Sequence, residues 1–269
     1  MKIGFIGIGN MASAMIKGYL AADFCSPRSI YAFDVQEEAC GRAKKAYDVN
    51  ICQSAAEVVR ESNYVVLAVK PNVLASVLED IRAEVGKKHV VLVSIVAGKT
   101  IAFIEKHVGP HTPVIRVLPN INAQVGASMT AYCGNMECSP VDREVFGRTL
   151  QGIGEAIELE EKYFDLVFAL AGSGPAFAYI FIDALAQAAL KKGMSKEAAT
   201  KIAAQMTFGS AKMVLESGVH PRVLVDQVCS PGGMTIEGVG VLQEKGFEHA
   251  LVAALVAAAE KAEALKANG

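Results

Sequence analysis

The stretch from Lys2 to Ala12, KIGFIGIGNMA, restricts the fold more than any other part of the sequence. A short apolar run precedes the pattern Gly7-x-Gly9-x-x-Ala12, and a helix-forming segment follows it. Gly7 permits a tight turn, Gly9 lets a ligand approach the backbone, and Ala12 lets the helix pack closely on the strand. The free N–H groups at the start of such a helix favour a phosphate. The stretch therefore predicts a βα unit that binds a dinucleotide, and an ordinary βα turn is the alternative.

An acidic residue lies at the end of the second predicted strand, SIYAFDV at 29–35. In dinucleotide-binding folds an acid at this point accepts hydrogen bonds from the ribose hydroxyls of NAD. Asp34 would also repel the 2′-phosphate of NADP, so it favours NADH over NADPH as the cofactor. Because Asp also caps helices, a capping role for Asp34 is the alternative.

Apolar runs at 63–70 and 89–96 predict strands that are buried on both faces, as in a parallel sheet. A further strand is predicted at 112–120. The carboxyl ends of such strands line the ligand crevice. The residues that we expect to bind the cofactor are Gly7, Ile8, Gly9, Asn10, Met11, Ala12, Asp34, Ala68, Val69, Lys70, Pro71, Ala97, Pro119 and Asn120. The amide of Asn120 offers a donor and an acceptor to a carboxamide, and Lys70 is either a proton donor or an exposed strand-end lysine.

The pattern changes at about Glu161, beyond which no good strand candidate occurs. The segments 175–192, 195–217, 234–244 and 247–267 are rich in Ala and have the period of helices. A helix that is apolar on more than one side must be buried, so we expect these helices to pack against a second copy of the chain. The predicted fold class is α/β, with a Rossmann-type doubly wound parallel sheet over 1–160 and an all-α dimerisation domain over 161–269. Segments 127–133 and 154–159 are predicted edge strands.

Composition excludes several classes of protein. The net charge is −2 and no basic stripe is visible, which argues against nucleic-acid binding. The apolar runs are short or broken by charge, so we expect no membrane-spanning helix, and the first residues lack the layout of a signal peptide. The six cysteines form no CxxC pair and have no nearby His, so we expect no metal site and reduced thiols in a cytoplasmic protein.

Two motifs in the second half of the chain combine Gly, Ser and Pro with helical segments. They are AGSGPAFAYIFIDAL at 171–185 and HPRVLVDQVCSPGGMTIEGVGVLQ at 220–243. With GIGNMA, AVKP, GSAKMVLESGVHP and EKGF, they resemble the pyrroline-5-carboxylate reductase family from end to end of the chain. The resemblance implies hydride transfer from NADPH or NADH to the C=N bond of 1-pyrroline-5-carboxylate, which gives L-proline in the last step of proline biosynthesis. It also implies a homodimer or a higher multiple of dimers, with the active site between a nucleotide domain and a helical domain.

The resemblance assigns roles to residues of these two motifs. Thr235 matches the position that contacts the substrate near its ring nitrogen, where a hydroxyl can donate or accept. The backbone N–H groups that we expect to bind the substrate carboxylate, without a cationic side chain, are those of Ser230, Gly232, Gly233 and Met234. The alternative for this loop is a tight turn between helices. Ser173 caps a helix whose first turn holds Pro175, or it faces the ligand. Thr235 and Lys70 are the candidate catalytic residues.

The sequence departs from the family pattern at two places. FDVQ holds Asp34 where many relatives carry Ser, Thr or Arg, and RVLPNIN replaces the commoner RxMPNTP.

Two other functions compete with that of the reductase family. A β-hydroxyacid dehydrogenase would need a catalytic Lys within its helical motif, but Lys191 and Lys192 lie only at the far end of the corresponding motif here. A dinucleotide-binding sensor without turnover would have no reason to retain SPGGMT.

Overall fold

The computed structural model describes residues 1–267, with side chains as far as residue 264. The last two residues of the predicted second domain therefore lie outside the described residues. The chain forms two compact units. The first comprises Met1–Gly172 together with the chain from Ala259 onward, and the second is Ser173–Ala258.

The first unit contains one mixed sheet. Its strands are β1 (Ile3–Ile6), β2 (Ile30–Phe33), β3 (Asn50–Ile51), β4 (Tyr64–Leu67), β5 (Val91–Ser94), β6 (Val114–Leu118), β7 (Ser128–Gly134) and β8 (Gly154–Glu158). Their order across the sheet is β3-β2-β1-β4-β5-β6-β7-β8. All neighbouring pairs are parallel except β6 and β7, which are antiparallel. The order of the first six strands is that of a Rossmann-type sheet, which confirms the predicted fold class.

Helices connect these strands and form the rest of the chain. In the first unit they are α1 (Asn10–Ala21), α2 (Glu37–Tyr47), α3 (Ala55–Glu61), α4 (Leu74–Val85), α5 (Ile101–Val108), α6 (Pro140–Leu150) and α7 (Phe164–Val167). A π-helix (Phe168–Ser173) follows, and then come α8 (Gly174–Lys191), α9 (Lys196–Ser217), α10 (Pro221–Val228), α11 (Met234–Glu244) and α12 (Phe247–Ala267). Short 3-10 helices lie at Pro27–Ser29, Ile121–Val125, Gln151–Ile153 and Glu161–Tyr163.

Burial on both faces of the sheet explains its apolar strands. Every residue of β1, β4, β5 and β6 is buried, as expected for parallel strands that carry helices on both sides. One apolar cluster joins α1 to the sheet and includes Phe5 and Met15. A second cluster joins α3, α4 and α5 to the sheet and includes Leu67 and Leu78. These two layers hold the carboxyl ends of the strands at fixed positions.

Three details of the first unit differ from the sequence prediction. β7 is an interior strand, because β8 pairs with its free side in parallel register from Ser128 and Gly154 onward. β3 has two residues, which is too short to give a periodic signal. The strand predicted at 63–70 is shorter than expected, because β4 ends at Leu67 and Pro71 lies between it and α4, which begins at Leu74.

The helical segments of the second unit agree with the predicted ones, with α10 added. Its apolar side chains, however, are largely exposed. The buried apolar residues described between 173 and 258 are Ala186, Ala199 and Ala203. Large side chains such as Ile202 and Phe208, both on α9, are more than half exposed. This unit does not bury its own apolar surface.

One long helical stretch was not expected from the sequence. Glu161–Lys191 is continuous, with the π-helix inside it, and its most apolar window has a mean hydropathy of 1.6. Pro175 lies in the first turn of α8, as predicted, but α8 continues directly from the π-helix instead of beginning a separate helix. Among the described residues this stretch alone is long and apolar enough to cross a membrane. That test is weak evidence, because core helices of soluble proteins also pass it.

Candidate cofactor and substrate loops

The glycine-rich loop between β1 and α1 has the predicted geometry. Gly7 has a φ of +92°, which favours glycine, and its N–H donates to the carbonyl oxygen of Phe33 at 2.8 Å. A Cβ on Gly7 would lie 2.6 Å from the carbonyl oxygen of Ala68. The loop is therefore held against the ends of both β2 and β4, and only glycine fits at its tightest point.

The start of α1 is open to a ligand. Gly9 is the N-cap residue, and no side chain caps this helix. A Cβ on Gly9 would meet no atom within 4 Å, whereas Ala12 is buried against the sheet. The N–H groups of the first turn and the positive end of the helix dipole thus face free space. This arrangement fits the pyrophosphate of a dinucleotide.

Asp34 lies beside the glycine-rich loop, at the end of β2. Its Oδ2 accepts a hydrogen bond from the N–H of Ile8 at 2.8 Å, and its Oδ1 accepts from the N–H of Gln36 at 2.9 Å. The N-cap residue of α2 is Gln36, and its side chain makes no capping bond. Asp34 therefore joins the two loops at which a cofactor ribose would lie, and it is not the N-cap of α2.

The other predicted cofactor residues follow the ends of β4, β5 and β6. Ala68, Val69, Ala97 and Pro119 are half-buried, whereas Lys70 and Pro71 are exposed. The N–H of Val73 donates to the carbonyl oxygen of Lys70 at 3.1 Å, which closes a turn around Pro71. Within the described residues the Lys70 ammonium makes no hydrogen bond or ion pair, so it is free to meet a ligand.

The side chain of Asn120 is buried and occupied. Its Nδ2 donates to the carbonyl oxygen of Ala171 at 2.9 Å, and its Oδ1 accepts from the N–H of Asn122 at 3.1 Å. Its own N–H donates to Ser128 Oγ, which also bonds Thr130 Oγ1. Asn120 thus holds a carbonyl of the π-helix as well as bordering the predicted crevice. The sequence motif did not indicate this second contact.

Sequence reasoning also missed a buried ion pair at the start of the long helical stretch. Arg116 on β6 is 4% exposed, and its Nη1 lies 2.9 Å from Glu161 Oε1. The same oxygen accepts from the N–H of Ile101 at 2.9 Å, and the Arg116 guanidinium stacks over Phe164. This group ties the start of the helical stretch to β6, the strand that Pro119 and Asn120 follow. No local signal connects Arg116 with Glu161, because they are far apart in the sequence.

The SPGGMT loop is a rigid turn that leads into α11. Gly232 has a φ of +66°, Pro231 precedes it, and the Gly233 N–H donates to the Ser230 carbonyl oxygen at 3.0 Å. These are the features of a type II turn. A Cβ on Gly233 would lie 2.3 Å from Ser230 Oγ. The Gly233 N–H is used inside the turn, so the predicted anion site loses that donor and keeps the N–H groups of its neighbours.

Two predicted substrate contacts carry unpaired hydroxyl groups. Thr235 lies in the first turn of α11 and is half-buried, and no side chain caps that helix. Ser173 is also half-buried and does not cap α8, which removes the capping alternative. Among the described residues neither hydroxyl has a hydrogen-bond partner. Both are therefore available to a ligand.

The buried thiols are poor nucleophiles. Burial raises the pKa of Cys133 to about 12 and those of Cys52 and Cys138 to about 11. All six cysteines are free. Among the described residues, no group of His, Cys, Asp or Glu side chains is arranged to hold a metal ion.

Two family descriptions match the chain. "Pyrroline-5-carboxylate reductase dimerisation" matches residues 161–265, and "NADP oxidoreductase coenzyme F420-dependent" matches residues 2–98. Together they cover both the glycine-rich loop and the SPGGMT loop.

Relatives match over almost the whole chain. The pyrroline-5-carboxylate reductase of Escherichia coli (strain K12) is 39% identical over 264 residues, or 98% of each chain. That of Methanosarcina acetivorans is 37% identical, over 98% of this chain and 97% of its own. Among solved structures, a pyrroline-5-carboxylate reductase from Coxiella burnetii has a TM-score of 0.93 at 29% identity, covering 98% of each chain. The Plasmodium falciparum enzyme with NADP bound has a TM-score of 0.86 at 32% identity, covering 99% of this chain and 98% of its own.

Proposed function

Because the chain belongs to the pyrroline-5-carboxylate reductase family, we propose that it transfers a hydride from NADH or NADPH to the C=N bond of 1-pyrroline-5-carboxylate. The product is L-proline, so the reaction is the last step of proline biosynthesis. The observation that carries this proposal is the full-length match to relatives with that name, which includes both the cofactor loop and the SPGGMT loop. The chain is accordingly an NAD(P)-dependent oxidoreductase that acts on a CH–NH group.

The first unit supplies the cofactor site. The nicotinamide supplies the hydride, and the protein holds and orients it. The N–H groups at the start of α1 bind the pyrophosphate, and Asp34 accepts hydrogen bonds from the adenosine ribose. The half-buried residues after β4, β5 and β6, with Lys70 at the rim, border the rest of the dinucleotide.

The second unit supplies the substrate contacts. The N–H groups of Ser230, Gly232 and Met234 bind the substrate carboxylate, with the positive end of the α11 dipole behind them. The Thr235 hydroxyl meets the ring nitrogen. A cyclic imine can arrive already protonated, in which case Thr235 accepts a hydrogen bond from it, and Lys70 is the candidate donor if it does not. Ser173 contributes a further hydroxyl to the substrate.

The dimerisation role belongs to the helical half of the chain. We place the domain boundary at residues 160 and 161, with a dinucleotide-binding domain before it and a substrate-binding and dimerisation domain after it. The exposed apolar side chains of α8, α9 and α12 support a homodimer or a multiple of dimers. The six free cysteines fit a cytoplasmic location.

A three-way assay tests the activity and its competitors. Purified chain is mixed with NADH or NADPH and with 1-pyrroline-5-carboxylate, and loss of the reduced nicotinamide is followed. A parallel reaction offers a 3-hydroxy acid with the oxidised cofactors. We expect oxidation with the imine only. Turnover of the hydroxy acid alone would instead identify a β-hydroxyacid dehydrogenase, and binding without any turnover would identify a sensor.

Thr235 offers a sharper test of the substrate site. Thr235→Val keeps the shape of the side chain and removes its hydroxyl, so we expect kcat to fall by about 100-fold, because proton positioning is worth roughly that much. The affinity for the cofactor, measured by calorimetry, should not change. Thr235→Ser restores the hydroxyl and should recover most of the activity. Equal losses of turnover and cofactor affinity in Thr235→Val would contradict the assignment.

A further inference from the structure

The segment that follows β2 is negative and lacks a cation. Asp34 lies at the end of the strand, and Glu37 and Glu38 lie in the first turn of α2. No Lys or Arg occurs between Arg28 and Arg42, and Arg42 is within 4.0 Å of the Glu38 carboxylate. A phosphate group placed at the end of β2 would therefore meet carboxylates and no free cation from this segment.

The neighbouring loop does not supply the missing charge. β3 pairs with β2 in parallel, so the segment 52–54 after β3 emerges at the same edge of the sheet. That segment, Cys-Gln-Ser, has no charged side chain. The N–H of Gln53 donates to the carboxylate of Glu57 at 2.6 Å, which adds another negative group near this edge. Neither loop is built to hold a 2′-phosphate.

The hydrogen bonds of Asp34 match the ribose of NADH. A carboxylate offers about four lone-pair positions, and the N–H groups of Ile8 and Gln36 each take one, on different oxygens. Two positions remain, and the adenosine ribose of NADH has two hydroxyl donors. NADPH offers one hydroxyl and, in place of the other, a phosphate that cannot donate when it is fully ionised. The two backbone bonds also prevent the Asp34 carboxylate from swinging away from that phosphate.

We propose that this chain is selective for NADH over NADPH, and that the backbone-held carboxylate of Asp34 determines the selectivity by accepting both ribose hydroxyls and repelling a 2′-phosphate. The inference rests on the proposed function, because it concerns the cofactor of that reaction. It narrows NAD(P)H to one cofactor for this chain.

Calorimetry on the full chain tests the selectivity without turnover. NADH and NADPH are titrated in parallel, and AMP and adenosine 2′,5′-bisphosphate repeat the comparison for the adenosine half alone. We expect each ligand without the 2′-phosphate to bind at least about tenfold more tightly, since like charges at close range cost this much or more near a protein surface. The ratio should shrink as the salt concentration rises from about 0.05 M to about 0.5 M, because salt screens a charge repulsion.

Two variants and one control assign the effect to Asp34. Asp34→Asn removes the charge and should lower the NADPH-to-NADH ratio of dissociation constants by about tenfold, even if a looser loop weakens both ligands. Val35→Arg adds a cation next to the carboxylate, at a side chain that is 87% exposed, and should tighten NADPH binding selectively. Asp48→Asn removes a carboxylate at the opposite end of α2 and should leave the ratio unchanged.

The outcomes separate this inference from the proposed function. Equal affinity for the two cofactors, or tighter binding of NADPH, would overturn the selectivity. A ratio that is unchanged in Asp34→Asn, or insensitive to salt, would overturn the role of Asp34. Failure of both dinucleotides to bind would overturn the proposed function itself.

Discussion

The two units of this chain use apolar residues in opposite ways. The sheet unit buries its large side chains, among them Phe5, Leu78 and Phe146, completely. The helical unit buries alanines and exposes residues such as Ile202 and Leu215. Both units have regular secondary structure, so the difference lies in packing. The sheet unit therefore has a hydrophobic core of its own. The helical unit instead exposes an apolar surface of the kind that binds a partner protein.

The largest expected effect comes from charging the exposed face of the helical unit. Ile202 and Met206 lie one turn apart on the same side of α9. If the proposed homodimer uses this face, the double variant Ile202→Glu/Met206→Glu should dissociate it at micromolar concentrations, because burying two unpaired carboxylates is very costly. Sedimentation velocity measures the change.

A matched variant in the sheet unit provides the control. Met136 is 95% exposed and lies outside the helical unit, so Met136→Glu should remain dimeric. If the α9 double variant also stayed dimeric, the partner surface would have to lie on another face, and the comparison between the units would weaken.

A core variant sharpens the comparison. Leu78 on α4 is fully buried, so Leu78→Ala should lower the free energy of unfolding by about 2–5 kcal/mol through the cavity it leaves. Because this core lies within one chain, the loss should not depend on protein concentration. The loss caused by Ile202→Ala should depend on concentration, because dimerisation stabilises the folded state by mass action. Denaturant unfolding at two protein concentrations measures the loss of stability for both variants. If both losses depended equally on protein concentration, the contrast between a core within one chain and a partner-dependent unit would be refuted.

The smallest expected effect concerns acid sensitivity in the sheet unit. Partial burial tends to raise the pKa of Asp142, but the hydrogen bonds from Ser139 N and Oγ and the nearby His89 and Tyr64 outweigh it and lower the pKa below its ordinary value of 3.8. A lowered folded-state pKa stabilises the protein above the unfolded-state pKa, and this contribution is lost as the pH falls through the folded-state value.

Asp142→Asn should therefore cost about 1 kcal/mol at neutral pH, the typical value of a helix cap. The cost should begin to shrink as the pH falls towards 3.8 and should disappear once the pH is below the lower pKa of the folded state. Asp183→Asn in the helical unit removes an exposed ion pair with Lys196 and should change stability less. Thermal melts at pH 7 and pH 3 measure both. A cost for Asp142→Asn that persists in acid would show that the carboxylate charge is not responsible.

Much of the fold could be predicted because its signals are local. The apolar runs of β4 and β5, the Gly7-x-Gly9-x-x-Ala12 loop and the periodic helices after Glu161 each show their character within a few residues. The tight turn at Gly7 is one example, since its positive φ is a property of glycine itself.

The features that were missed depend on residues far apart in the chain. The parallel pairing of β8 with β7, the pair between Arg116 and Glu161, and the bond from Asn120 to the Ala171 carbonyl oxygen join distant segments. The π-helix that directly precedes α8 has no clear signal of its own in the sequence.

The sequence by itself determined the types of the elements, the two chemical loops and the resemblance to a reductase family, because backbone preferences and side-chain chemistry act over short distances. Only the tertiary structure decided which of those groups are free to act. It left the hydroxyls of Ser173 and Thr235 unpaired, occupied the N–H of Gly233 inside its turn, and used the two oxygens of Asp34 to hold backbone N–H groups. The physical reason is that the great majority of buried polar groups have a hydrogen-bond partner, and the partner that each one finds depends on the whole fold.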